Sequence, residues 1–159
     1  FMELWPAQQF QAYPRLTRMG PEPLTNEFSE AYLNHALKGR RTPIKSALLD
    51  QSVIAGLGNI YVCEALWRAR ISPRRLAASI PGQRAARLAA AINDVIAEAI
   101  EAGGSSISDF ASASGDLGYF QHSFAVYDRE GQACRVCGAR IDRILQSGRS
   151  SFYCRDCQR

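Results

Sequence analysis

The chain has 159 residues, 47% of them hydrophobic, which suits one compact domain or two small ones. No run of eighteen apolar residues occurs, so no transmembrane helix is expected. The net charge is +4, but its distribution says more: from Cys134 to Arg159 six arginines face only Asp142 and Asp156, a bias suited to a polyanion.

Residues 1–23 carry Pro6, Pro14, Pro21 and Pro23 without a sustained period and read as a linker from something upstream. Phe1-Met2-Glu3-Leu4-Trp5 lacks the basic start and apolar middle of a signal peptide. A cytoplasmic or nucleoid protein is the expectation, and Phe1 ahead of the first methionine reads as a fragment or processed product. Leu24-Thr25-Asn26 is expected to open a helix. Phe28, Tyr32, Leu33, Ala36 and Leu37 give its 3.6-residue stripe, and Gly39 ends it. His35 on that helix has no partner pattern and reads as an ordinary packing or surface residue.

Thr42 is a plausible N-cap, with Pro43 at the first position of a short helix running from Ile44 to about Gln51. Lys45 falls in its first turn, where a cation opposes the helix dipole. With Arg40 and Arg41 nearby it would suit a phosphate; the residues alone fit a solvated lysine equally well. Gly56 and Gly58 then precede a helix expected from Ile60 to about Arg70, with Asn59 as its cap. Glycines there let bare amides approach an anion, although Gly-x-Gly-Asn is also an ordinary tight turn. Cys63 is expected as a small buried thiol.

Ser72-Pro73 stops that helix. Ser79-Ile80-Pro81 opens a long one to about Ala102, with Leu88, Ile92, Val95, Ile96 and Ala99 on its core face and Gly103-Gly104 at its end. Residues 105–118 are small, polar and glycine-containing, the composition of a functional loop or of a bland connector. Phe124-Ala125-Val126-Tyr127 is expected as a strand, followed by a turn at Asp128 to Gly131.

The most informative stretch is last. Cys134-x-x-Cys137 and Cys154-x-x-Cys157, sixteen residues apart, have the spacing of a four-cysteine zinc site. Two residues between thiolates let both sulfurs of a tight turn face one tetrahedral ion. Four cysteines leave no open coordination position, so one structural Zn²⁺ is expected. Two disulfides or free thiols are the other readings, less favoured without a signal peptide. A tetrathiolate zinc site carries charge −2, which halves the local basic excess. The expected fold is mainly α with a small β zinc hairpin.

Thr42-Pro43-Ile44-Lys45, Leu48-Leu49-Asp50-Gln51, the run Ala55 to Tyr61 with Glu64-Ala65-Leu66, Gly118-Tyr119-Phe120 and the closing finger through Ser151-Phe152-Tyr153-Cys154 together resemble the C-terminal half of the formamidopyrimidine-DNA glycosylase family. The resemblance implies a helix–two-turns–helix DNA-binding domain over 24–118, including a lesion-recognition loop at 105–118, then a zinc finger over 119–159. By position, Arg40, Lys45, Gly58 and Asn59 resemble DNA-backbone contacts. Arg149 resembles the hairpin arginine that grips phosphates beside the lesion and takes part in δ-elimination. Ser108, Ser114, Gly115 and Tyr119 fall in what resembles the loop over a flipped 8-oxoguanine. The family's nucleophile is an N-terminal proline on a separate domain, and Phe1-Met2 does not match it. The implied partners are duplex DNA containing oxidised bases and the N-terminal catalytic half of the same protein, in a monomeric bifunctional glycosylase and AP lyase of the bacterial cytoplasm. This chain alone is then expected to be inactive. The alternatives are a stand-alone zinc-ribbon DNA-binding module or an endonuclease VIII-type glycosylase for oxidised pyrimidines.

Overall fold

The structure, a computed structural model, describes residues 6–7, 12–14, 16–105 and 119–159. The first helix, α1, spans Glu30–Leu37. It begins later than the sequence suggests. Leu24 has φ 67°, which no right-handed helix accommodates, and its amide donates to Asn93 Oδ1 instead. Ser29 supplies the cap by accepting the Tyr32 amide at 3.1 Å. Leu33 and Leu37 face the core, and Gly39 at φ 73° ends the helix as expected.

The second helix, α2 (Ile44–Leu48), has only five residues. Thr42 does not cap it: Pro43 holds that position, and the Thr42 carbonyl accepts the Ala77 amide. The Ile44 amide is taken by Arg75 O at 2.7 Å. Two turns follow. Asp50 accepts from Ser52 N and Oγ, and its carbonyl takes the amides of Val53 and Ile54. Gln51 Oε1 then accepts the amide of Gly56, a glycine at φ 75° that an L-residue could hold only with strain. Part of the expected linker packs here: Gly20 N donates to Gln51 O and Pro21 O accepts Ala55 N.

The third helix, α3 (Asn59–Arg68), starts one residue before the expected Ile60. Gly58 is its N-cap, and the Asn59 side chain is engaged elsewhere. Its buried face is Val62, Cys63, Glu64, Ala65 and Leu66. A short 3₁₀ turn at Ala77–Ser79 leads to α4 (Gln83–Glu101), which opens at Gly82 (φ 92°), whose amide donates to Asn34 Oδ1. Ala85, Leu88, Ile92, Val95 and Ala99 recur at helical spacing and are buried, so α4 packs along α3 and α1. Arg68 and Glu98 clamp that packing with two bonds of 2.6 Å. No helix of the described residues is long and apolar enough to cross a membrane.

The hairpin consists of β1 (Ile141–Gln146) and β2 (Arg149–Cys154), antiparallel, with Gln146 opposite Arg149. Ser147 and Gly148, at φ 49° and 74°, make the two-residue turn whose twist matches the strands. The strand expected at Phe124 to Tyr127 does not form. Phe120–Ser123 is a 3₁₀ turn, and the amides of Ala125, Val126 and Tyr127 reach no neighbouring strand. They donate to the Glu64 carboxylate at 2.9, 3.0 and 2.8 Å. A sequence of aromatic edge contacts, Phe120–Phe124–Tyr127–Phe152, runs beside this cradle from the helical core into the hairpin.

Candidate nucleic-acid interface and metal centre

Each Cys-x-x-Cys turn closes with an amide bonded back to the carbonyl of its first cysteine. Gly138 at φ 75° donates its amide to Cys134 O, and Gln158 N donates to Cys154 O. All four sulfurs lie within 4.8 Å of one another, with Cys134–Cys157 at 3.9 Å and Cys137–Cys154 at 3.4 Å. A tetrahedral ion with Zn–S near 2.3 Å requires sulfurs about 3.8 Å apart. None of these cysteines is in a disulfide, so the donor set fits one closed structural zinc site. The ion, when bound, supplies a fixed tetrahedral tie between the knuckles.

Among these thiols the surroundings favour the Cys134 thiolate. Burial pushes the Cys134 thiol up, but the amides of Cys137 and Val136 more than offset it and bring it down to about 6, while burial and the neighbouring sulfurs hold Cys154 and Cys157 above the usual thiol range. Trp67, from α3, packs against the cluster that holds Cys134 and Cys154. Gln158 adds a second tie: its Oε1 accepts the Cys154 amide and its Nε2 donates to Ile71 O, both at 2.9 Å.

At the other end of the hairpin, α2 and α3 converge on strand β2. Lys45, read from sequence as facing a phosphate, is 0% exposed. Its ammonium donates to Ser150 O at 2.6 Å and to Ser151 Oγ at 2.8 Å, so its contacts here are protein acceptors and not solvent. Burial lowers its pKa, and the charge of Arg149 adds to that while Cys63 opposes it. Asn59 Nδ2 donates to the same Ser150 carbonyl at 3.1 Å. Ser151 Oγ passes on to Gln146 Oε1, and Gln146 Nε2 to Pro73 O. Ser46 and Ser147 join their hydroxyls at 3.0 Å across the same seam.

Next to this seam Arg149 stands exposed, and no described residue hydrogen-bonds or ion-pairs with its guanidinium. Gly58 lies at the start of α3, where an added Cβ would meet nothing within 4 Å, so the helix entrance is open. The structure therefore brings Lys45, Gly58, Asn59 and Arg149 to one place. It does not join Arg40 to them: that guanidinium binds Ala36 O at 2.8 Å and Asp50 at 3.4 Å. Ser108, Ser114 and Gly115 lie outside the described residues. Tyr119 is 66% exposed, stacks against His122, and is bridged to Ser105.

Sequence reasoning places Glu64 in the motif Glu64-Ala65-Leu66 but assigns it no role. It is 1% exposed and its acceptors' partners are backbone amides, which no side-chain motif announces. The available signal was a glutamate on the apolar face of α3, beside Val62, Cys63, Ala65 and Leu66.

Residues 19–111 match the family described as formamidopyrimidine-DNA glycosylase H2TH domain, and residues 131–159 the zinc finger found in FPG and IleRS. The formamidopyrimidine-DNA glycosylase of Ruegeria pomeroyi is 59% identical over 99% of this chain and 56% of its own length. That of Cereibacter sphaeroides is 58% identical with the same coverage. Among solved structures, the MutM (Fpg) protein from Thermus thermophilus superposes with TM-score 0.88 at 44% identity, over 94% of this chain and 57% of that one. The Lactococcus lactis Fpg in complex with abasic-site DNA gives TM-score 0.88 at 37% identity, over 96% and 56%. The chain spans about half the length of the curated relatives it matches. It belongs to the formamidopyrimidine-DNA glycosylase H2TH-domain family and carries that family's zinc finger at its C-terminal end.

Proposed function

We propose that this chain is the duplex-gripping half of a DNA glycosylase and AP lyase that removes oxidised purines. Asn59 at the start of α3 and Arg149 on the hairpin meet around Ser150, and this observation carries the reading. A guanidinium on a braced hairpin is preorganised for bidentate phosphate contact. An amide donor and a helix N-terminus beside it favour the same anion. Arg40 adds a backbone contact farther along, and Tyr119 is the first residue after the segment 105–118 assigned to the lesion. Extruding a base needs a bent duplex held by its phosphates, which a two-part clamp supplies.

Solved relatives support the substrate class, one of them bound to DNA containing carbocyclic 8-oxo-G and another to DNA containing Fapy-dG. In this reading residues 24–118 form the DNA-binding domain and 119–159 the finger, working as a monomer on the bacterial nucleoid. The base-excising nucleophile resides in an N-terminal half of the same protein. Incision of an 8-oxoguanine duplex tests it. The complete enzyme should cut, these 159 residues alone should not, and Arg149→Ala should slow the complete enzyme about thirtyfold. Robust incision by this chain alone, or preference of the complete enzyme for oxidised pyrimidines, would contradict it.

A further inference from the structure

The Lys45 ammonium has three donors, all turned inward. Two reach Ser150 O and Ser151 Oγ, and Cys63 and Arg149 are the nearby titratable groups that act on its charge. No carboxylate of the described residues lies within ion-pair distance of it. What fixes its place is therefore a pair of hairpin acceptors, not a countercharge. A buried ammonium without a carboxylate is a costly way to hold a helix to a strand, and an apolar residue of similar size would be the cheaper packing choice. What the ammonium does that an apolar residue cannot is orient the Ser150 carbonyl. That carbonyl belongs to Ser150, next after Arg149, the residue whose pairing with Gln146 closes the hairpin, and Asn59 binds the carbonyl too.

We propose that Lys45 is a positioning residue for phosphate binding. It locks the Ser150 carbonyl against α3, which turns the Arg149 side chain outward beside Asn59 and makes one phosphate site from two elements. Strand geometry supplies the lever: Arg149 and Ser151 share one face of β2, and burial deepens from exposed Arg149 through half-buried Ser150 to buried Ser151, so holding Ser150 and Ser151 against Lys45 sets the direction of the Arg149 side chain. The inference rests on the proposed function for the identity of the anion, a DNA phosphate, but the lock itself concerns this chain alone.

The test uses the zinc-loaded chain with Lys45→Met, which keeps volume and removes the donors. Amide exchange across residues 147–150 should speed up about tenfold while zinc content and helix content stay unchanged. Affinity for a duplex carrying a tetrahydrofuran abasic analogue should fall about tenfold. In an Arg149→Ala background the same substitution should cost less than about twofold more, because the arginine through which it acts is gone. Losses that multiply independently would mean that Lys45 meets a phosphate itself, and would overturn the proposal. Unchanged exchange at the hairpin tip would overturn it as well. Ser151→Ala removes one acceptor and leaves the lysine in place; it should lower affinity about threefold, and no loss there counts against the lock even if Lys45→Met fails to fold. Failure of the wild-type chain to bind DNA would sink the functional reading, and the exchange measurement would still decide whether Lys45 locks the tip.

Discussion

The helical part and the zinc hairpin solve the same problem with different means. The helices share one continuous apolar core, from Phe28 and Leu33 through Leu66 and Ile92 to Phe124. The hairpin's buried cluster holds Val126, Ile141 and Phe152 with two of the zinc cysteines, and it borrows Cys63 from α3. Two strands cannot bury enough to stand alone. The metal, the Glu64 cradle and the Lys45 lock therefore do for the hairpin what packing does for the helices. The difference teaches where function can sit: the helices provide a rigid platform, and the hairpin presents its arginine only as well as those three ties hold it.

The sharpest way to break this comparison is to remove the metal. Cys154→Ser, or chelation, should forfeit most of a binding energy of roughly 10 kcal/mol and unfold the hairpin. Far-ultraviolet circular dichroism should still show α1 to α4; loss of the helices together with the metal would show that the two parts share one fate.

Next in size is Glu64→Ala. Two buried amides and a half-buried one lose their acceptor, which should cost about 3 kcal/mol or more in denaturant unfolding. Glu64→Gln keeps the oxygen that serves Val126 and Tyr127 and should recover part of this. Equal stability of Glu64→Ala and wild type would mean the cradle is not a tie.

Arg149→Ala should leave stability and zinc untouched and weaken duplex binding by about 2 kcal/mol. Arg149→Lys should recover only a part, since an ammonium lacks the fork. Arg155, already paired with Asp142 at 2.7 Å, should matter little.

The smallest effect lies wholly within the helices. The Arg68 guanidinium holds Glu98 below the usual carboxylate range. A depressed carboxylate contributes stability above its unfolded pKa near 4.5 and loses it as pH falls through the folded value. Half-exposure of Glu98 screens the pair, so Arg68→Ala should cost under about 1 kcal/mol at pH 7 and less in acid. A pH-independent loss in thermal unfolding would point to packing by the arginine stem instead.

The sequence was legible where local chemistry is self-contained. The four cysteines, the α4 stripe and Gly39 as a stop all declare themselves within a few residues. It was opaque where partners are distant or are backbone. Nothing near Phe124 to Tyr127 reveals that a glutamate some sixty residues earlier takes their amides and prevents a strand. Lys45 looked like a surface cation because its acceptors, Ser150 and Ser151, lie at the far end of the chain. Asn59 looked like a cap because the carbonyl it binds comes from the same distant strand. Leu24 carries a left-handed backbone that its side chain does not advertise, so α1 was placed too early.

The most direct test of the central claim, that the braced hairpin meets DNA through Arg149, is the salt dependence of duplex binding by the zinc-loaded chain and by Arg149→Ala. Each phosphate neutralised contributes about −0.9 to the slope of log K against log[salt]. The arginine variant should be shallower than wild type by roughly that amount. Parallel lines would mean that Arg149 does not touch a phosphate, and the account of the hairpin as a DNA grip would fall.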